Sequence, residues 1–158
     1  MESIYTSFLT PIAPSLITLL LTIWGWRVVS RSNQRSKAGD IHNKRIEVAQ
    51  KSIDEIVMLA KKYYSLKGYD PEARILEPHI TSNLKRLSMY IALICDSVEK
   101  DSEKNNIALN VLAFKKTISG GSFGTQSRLE VSLSNQLYND ITDTSHELIF
   151  NLERLLKV

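Results

Sequence analysis

Apolar positions along the chain fall into one long unbroken run, followed by shorter periodic stretches. From Phe8 to Val29 the chain reads FLTPIAPSLITLLLTIWGWRVV, with no acidic residue and with Arg27 as its single basic one. As a helix, residues 11–29 extend about 28 Å at about 1.5 Å per residue, close to the roughly 30 Å hydrocarbon thickness of a bilayer. Thr10 and Pro11 suit an N-cap and a first helical position, because proline has no N–H to leave unsatisfied there. A cleaved signal peptide needs a basic leader and a small-residue cleavage site, and MESIYTSFLT with the run behind it offers neither. The pattern predicts a transmembrane helix over residues 11–30 behind a short extracytoplasmic N-terminus, residues 1–10.

Charge gives that span a direction. Only Glu2 precedes it, whereas Arg27, Arg31, Arg35, Lys37, Lys44 and Arg45 follow with Asp40 as the one interruption. Basic flanks stay cytoplasmic, so the N-terminus is expected outside an inner (plasma) membrane and the body inside the cytoplasm. Trp24, Trp26, Arg27, Arg31, Arg35 and Lys37 are the expected membrane-interface residues, with the rings at headgroup level and the cations in the phosphates. The rest of residues 31–45 forms a basic juxtamembrane segment, in which each cation gains about 1 kcal/mol beside an anionic leaflet. Within the span, Ser15, Thr18, Thr22 and Gly25 recur at spacings of three, four and three. Small and hydroxylated residues on one helix face let backbones approach in lipid, so this stripe is a candidate oligomerisation face. In a ring of helices it would line a polar pore.

Residues 46–158 read as a cytoplasmic bundle of about four helices, which makes the fold class all-α: one N-terminal transmembrane helix and a helical body. Beyond a polar stretch containing Gly39, Ile46, Ala49, Ile53, Ile56, Ala60 and Tyr63 alternate by three and four, the seam of a bundle or coiled coil. Gly68 and Pro71 predict its end near Leu66, and Asp70 before Pro71 predicts a new N-cap. A short turn is expected to stop at Pro78. A second helix is then expected from Thr81 or Ser82 to about Lys100, burying Leu84, Leu87, Tyr90, Ile91, Ile94 and Val98. The charged stretch EKDSEKNN predicts a loop before a third helix with Ile107, Val111, Phe114 and Ile118 inside and Gly120 and Gly121 at its end. Ser127 to Glu130 has the capping-box spacing and predicts the start of the last helix, with Leu133, Leu137, Ile141, Thr144, Leu148, Leu152 and Leu155 as its seam. A second capping pattern, Thr144 to Glu147, predicts a kink near Asp143. LEVSL, residues 129–133, alternates too briefly to make a strand.

Composition adds mainly exclusions. The chain has 158 residues, 20 Lys and Arg against 17 Asp and Glu, and a single cysteine, so one domain and an appendage fit while a disulfide framework or thiolate zinc site does not. His42, His79 and His146 are far apart and lack metal-spaced partners, so neither metal nor cofactor is expected. Cys95 lies in the apolar MYIALIC segment, where it should behave as a small hydrophobe. SGGSFG, residues 119–124, lacks the preceding strand and the G-K-[ST] ending of a phosphate loop and reads as a linker in which Phe123 tucks into the bundle. Basic residues in the body are interleaved with acids, which points to lipid headgroups and away from nucleic acid.

Two intervals, Arg74-Ile-Leu-Glu-Pro-His79 and Arg35 through His42, resemble the R-x4-6-H signature of HEPN ribonucleases, which are also small helical bundles. The resemblance implies an arginine that stabilises a phosphorane and a histidine that moves a proton. Pro78 falls inside the first interval, the second sits in the basic rail, and neither opens the final helix. The leading expectation is a membrane-anchored helical interaction or sensing protein without enzymatic activity. Its expected partners are the lipid bilayer and either a second copy or a cytoplasmic protein, with no small-molecule substrate. The alternatives are a membrane-perturbing effector, oligomerising or pore-forming, as in antiphage defence or superinfection exclusion, and a membrane-tethered HEPN-like ribonuclease.

Overall fold

The computed structural model describes the backbone of residues 2–132 and 135–156; side chains of residues 2–21, 25, 28 and 31–36 lie outside the description. Four helices make up the described chain: α1 (Glu2–Tyr64), α2 (Pro71–Cys95), α3 (Asp101–Ser119) and α4 (Gln136–Glu153), with no strand among the described residues. The chain divides into two units, residues 1–40 and residues 41–158.

The first unit is helical backbone throughout its described length. Ile23, Trp24, Trp26 and Val29 are each more than half exposed there. Among the described residues, no helix is long and apolar enough to cross a membrane. Most of the apolar run, including Ser15, Thr18 and Gly25 of the small-residue stripe, lies outside the described side chains.

In the second unit, the expected seam does the packing. Ile46, Ala49, Ile53, Ile56, Ala60 and Tyr63 of α1 are buried with Leu84, Leu87, Ile91 and Ile94 of α2, Ile107, Val111, Phe114 and Ile118 of α3, and Ile141, Leu148 and Leu152 of α4. Each Val, Leu, Ile or Phe among them withdrawn from water contributes about 1.5–3 kcal/mol. Polar contacts at the helix borders fix who neighbours whom. Glu55 accepts from Asn83 at 3.0 Å and Arg86 at 3.1 Å, joining α1 to α2. Lys115 donates to Ser88 at 3.2 Å, joining α3 to α2. Asn106 donates to Asn151 at 3.1 Å, and Gln50 to Glu153 at 3.2 Å, placing α4 beside both α3 and α1. The order is an antiparallel up-down-up-down ring, the arrangement that short connections favour. One end of it holds His42, Ser97 and Leu155, and the other holds Tyr64, Ile118 and Arg128.

Four expected boundaries are corrected. Helix α1 continues through Gly39 instead of restarting beyond it, since one glycine costs about 1 kcal/mol against alanine, too little to end a helix alone. Helix α2 continues through Pro78 instead of breaking there. Both Arg74 and Pro78 are exposed, so the carbonyl that proline cannot serve lies on the water-facing side. Asp70 caps α2 as expected, accepting from the Glu72 N–H at 2.8 Å with Pro71 in the first turn. Helix α3 starts at Asp101, inside the stretch expected to be a loop, with Asp101 and Glu103 complementing the positive end of its dipole.

The largest correction concerns the last helix. It begins at Gln136, capped by Asn135, and not at Ser127. The Ser127–Glu130 pattern fails because its backbone has better partners elsewhere: the Arg128 carbonyl accepts from Gly68 N–H at 2.8 Å and the Val131 N–H donates to the Tyr64 carbonyl at 2.9 Å. Leu133 lies outside the described residues. Helix α4 shows no break at Asp143, and the Thr144 hydroxyl bonds back to the Asp140 carbonyl at 2.7 Å instead of capping a new turn.

Restoring the missing donor at Pro78 should stabilise the bundle. Pro78→Ala is expected to raise the unfolding free energy by about 1–3 kcal/mol, read as a higher urea midpoint with an unchanged slope.

Candidate functional site

The expected membrane-interface residues can be placed in part. Trp24 and Trp26 are 69% and 78% exposed, and Arg27 and Lys37 are exposed on the same helix. Arg31 and Arg35 lie outside the described side chains. Because α1 is helical from residue 2 onward, spacings of three, four and three keep the positions of Ser15, Thr18, Thr22 and Gly25 on one side of it.

At the first end of the bundle the sequence converges on a histidine. His42 stands four residues before Ile46, on the α1 seam extended by one turn, and is 2% exposed. Its Nδ1 lies 2.6 Å from the Ser97 hydroxyl and its Nε2 lies 3.0 Å from the Leu155 carbonyl. Ser97 follows the end of α2 and donates its own proton to the Ile94 carbonyl at 2.7 Å. One imidazole thereby connects α1, the α2–α3 connection and the segment after α4. A cleft of about 410 Å³ lies alongside, bordered by Ser97, Lys100, Glu103 and Arg154. The Ser97–His42 distance is that of a nucleophile and its base. Because the hydroxyl proton is directed to the Ile94 carbonyl, the serine closes the helix and orients the ring.

At the opposite end an arginine does the joining. Arg128 is 5% exposed, with its guanidinium 4.0 Å from the Tyr63 ring centroid and 5.3 Å from that of Tyr64. Its Nη1 donates to the Leu66 carbonyl at 2.8 Å, while Nε and Nη2 have no hydrogen-bond partner among the described residues. Cation–π attraction of about 2 kcal/mol in a desolvated setting helps to hold this charge inside. Around it, Tyr63 accepts from Gly124 N–H at 2.9 Å and packs on Phe123, which is half-buried as expected. Gly124 adopts φ of 77°, a left-handed conformation that glycine reaches without strain. A Cβ on Gly68 would collide with the Thr125 carbonyl oxygen, so the two loops meet backbone to backbone.

Tyr64 donates to the Ile118 carbonyl at 2.8 Å. Burial first, then neighbouring Tyr63, pushes its phenol up to about 12, against the lowering pull of Arg128. Burial also raises the Tyr138 phenol, again against Arg128. The Cys95 thiol is pushed up by burial first and Asp96 second, against Lys104, which leaves it a half-buried, weakly reactive thiol.

Of the two intervals of the ribonuclease resemblance, the described pair, Arg74 and His79, does not converge. Arg74 and His79 are both exposed on α2, and five residues along a helix turn their positions about 140° apart. His42 points into the bundle, and the Arg35 side chain lies outside the description. His146 is exposed and distant in the chain from both. Among the described residues no cluster of histidine, cysteine and carboxylates could hold a metal ion. Comparison with protein-family models, with curated proteins and with solved structures finds no match.

Sequence reading missed both joints. His42 was within reach, because its seam position predicts burial; Arg128 was not, because nothing local distinguishes it from a surface arginine.

Two outcomes test the Arg128 end of the bundle. Arg128→Ala should destabilise by about 2–4 kcal/mol through lost packing and an unpaired Leu66 carbonyl, and should speed amide exchange at residues 65–70 and 122–131. Arg128→Lys should recover only part, since an ammonium cannot stack flat on a ring. For Tyr64, an unfolded phenol ionises near pH 10 and the folded one near pH 12, so its contribution is complete below about pH 10 and is lost as pH rises toward about 12. Tyrosinate absorbance is expected to show one phenol ionising only as the helix signal collapses, and Tyr64→Phe should remove that step at a cost of about 1 kcal/mol.

Proposed function

We propose that the chain is a single-pass membrane-anchored helical protein whose cytoplasmic bundle binds or senses a protein partner or a second copy, without catalysis of its own. In this reading residues 11–30 span an inner membrane, the N-terminus faces outward, and the basic segment 31–45 rests against the anionic cytoplasmic leaflet. The observation that carries it is the exposure of Ile23, Trp24, Trp26 and Val29 on a helical segment beside exposed Arg27 and Lys37. Such side chains gain from an apolar surrounding, and indole rings next to cations suit a lipid interface. The unbroken apolar run of the sequence supplies the remaining length.

A second reading is favoured by the small-residue register. With Ser15, Thr18, Thr22 and Gly25 on one side of a helix, the span associates with copies of itself, and the protein perturbs the membrane when its bundle permits. Defence against phage infection is one setting for such an effector.

Leu20→Arg places a charge in the middle of the run, at about 2.5–3.5 kcal/mol or more for insertion. The expected outcome is release of the full chain from alkali-washed bacterial membranes by this variant and retention of the parent chain; equal retention of both removes the anchor. The triple change Thr18→Leu, Thr22→Leu and Gly25→Leu should leave insertion intact and abolish any membrane depolarisation caused by expression. Depolarisation unchanged in the triple variant removes the effector reading.

A further inference from the structure

Two exposed stripes of the bundle share one spacing and carry opposite charge. On α2 and its C-cap, Lys85, Met89, Ala92 and Asp96 follow by steps of four, three and four. On α4 and its C-cap, Asp143, Glu147, Phe150 and Arg154 repeat those steps. Such steps keep each set on one side of its helix, and all eight residues are exposed, Met89 at 68% and Phe150 at 59%. Each stripe covers about 16 Å of helix.

Their places in the ring let them meet only between copies. Helices α1 and α3 each adjoin both α2 and α4, so α2 and α4 stand on a diagonal. The stripes lie opposite the buried residues Leu87 and Ile91 of α2 and Ile141 and Leu148 of α4, and therefore look away from each other. Both helices run from the Arg128 end to the His42 end, so a second bundle set alongside in the same direction brings α2 of one against α4 of the other.

In that alignment Lys85 faces Asp143, Asp96 faces Arg154, and the Phe150 ring lies over Ala92, with Met89 beside the stem of Glu147. None of Lys85, Asp96, Asp143 and Arg154 enters an ion pair among the described residues. Inverting the second copy would set Lys85 on Arg154 and Asp96 on Asp143, and matching either stripe to itself in the same direction would set like on like.

We infer that a second copy of the chain docks through this pair of stripes, α2 of one bundle against α4 of the next. This rests on the membrane-anchored reading above, since copies anchored in one membrane share a direction, which excludes inverted pairing of a stripe with itself. The two surfaces differ, so the contact is head to tail, and successive copies close into a ring or extend as a row. Exposed ion pairs are each weak, and anchoring supplies the effective concentration that lets weak contacts associate.

Cross-linking in bacterial membranes tests this on the full chain, with Cys95→Ser to remove the native thiol. A chain carrying both Met89→Cys and Glu147→Cys, treated with a short bismaleimide, is expected to form dimers and larger species. Either substitution alone should give none, and two chains carrying one each, expressed together, should give dimers only. No products from the doubly substituted chain overturn the proposal, and so do equal products from either single one. Adding Lys85→Glu to the doubly substituted chain should cut the yield about tenfold, and adding Asp143→Lys as well should restore most of it. An unchanged yield with Lys85→Glu, or no recovery in the swapped pair, overturns the charge match. Washing the same membranes with alkali reads the anchor separately: absent cross-links in a retained chain reject the stripes alone, and cross-links in a released chain reject the anchor alone.

Discussion

Side chains on a single helix leave water only by meeting another surface, and α1 has different surroundings along its length. From His42 to Tyr64 its seam meets three other helices, and the residues on it are buried almost without remainder. Nearer its start the same helix leaves Ile23, Trp24, Trp26 and Val29 exposed. Each Ile or Val left so forgoes about 1.5–3 kcal/mol of burial, which is a large fraction of a marginal stability. The seam of α1 in residues 41–64 has its partners in the same polypeptide, and under the proposed function the surroundings of residues 23–29 are lipid.

Within the bundle, apolar packing specifies that helices associate but says little about how they begin and end. That work falls to polar groups at the two ends. His42 meets the Ser97 hydroxyl and the Leu155 carbonyl, and Arg128 lies on aromatic faces, so each joint draws together segments far apart in sequence. Exposed ion pairs along the sides, such as Lys62 with Glu72, carry much less of the energy.

The seams of α1 and α3 are legible because periodicity of three and four survives tertiary detail: Ile46 to Tyr63 and Ile107 to Ile118 are buried as their spacing predicts, as are Leu84, Leu87, Ile91 and Ile94 of α2. Tyr90, Leu137 and Thr144, by contrast, are only half-buried, and on α4 Tyr138 and Ser145 face the core in place of the last two. Boundaries were less legible, because they depend on competition between local and distant partners. Pro78 is a breaker in isolation and is tolerated where its orphaned carbonyl faces water. Ser127 to Glu130 is a cap in isolation and is pulled into a loop by Gly68 and Tyr64, some sixty residues earlier in the chain. The candidate sites divide in the same way. Trp24 and Trp26 are visible as residue types in a context, whereas Arg128 acquires its role only when Tyr63 and Tyr64 arrive.

An even number of antiparallel helices returns the chain to the end from which it started, and here the return is sealed by a bond between His42 and the Leu155 carbonyl. Tension applied across the first and last residues of the bundle would consequently act on that seal head on and then peel α4 from α1 turn by turn. Contacts would be loaded in succession instead of sharing the force. Such an arrangement resists pulling weakly, whatever its thermodynamic stability, and it makes the C-terminal turn the mechanical fuse of the molecule.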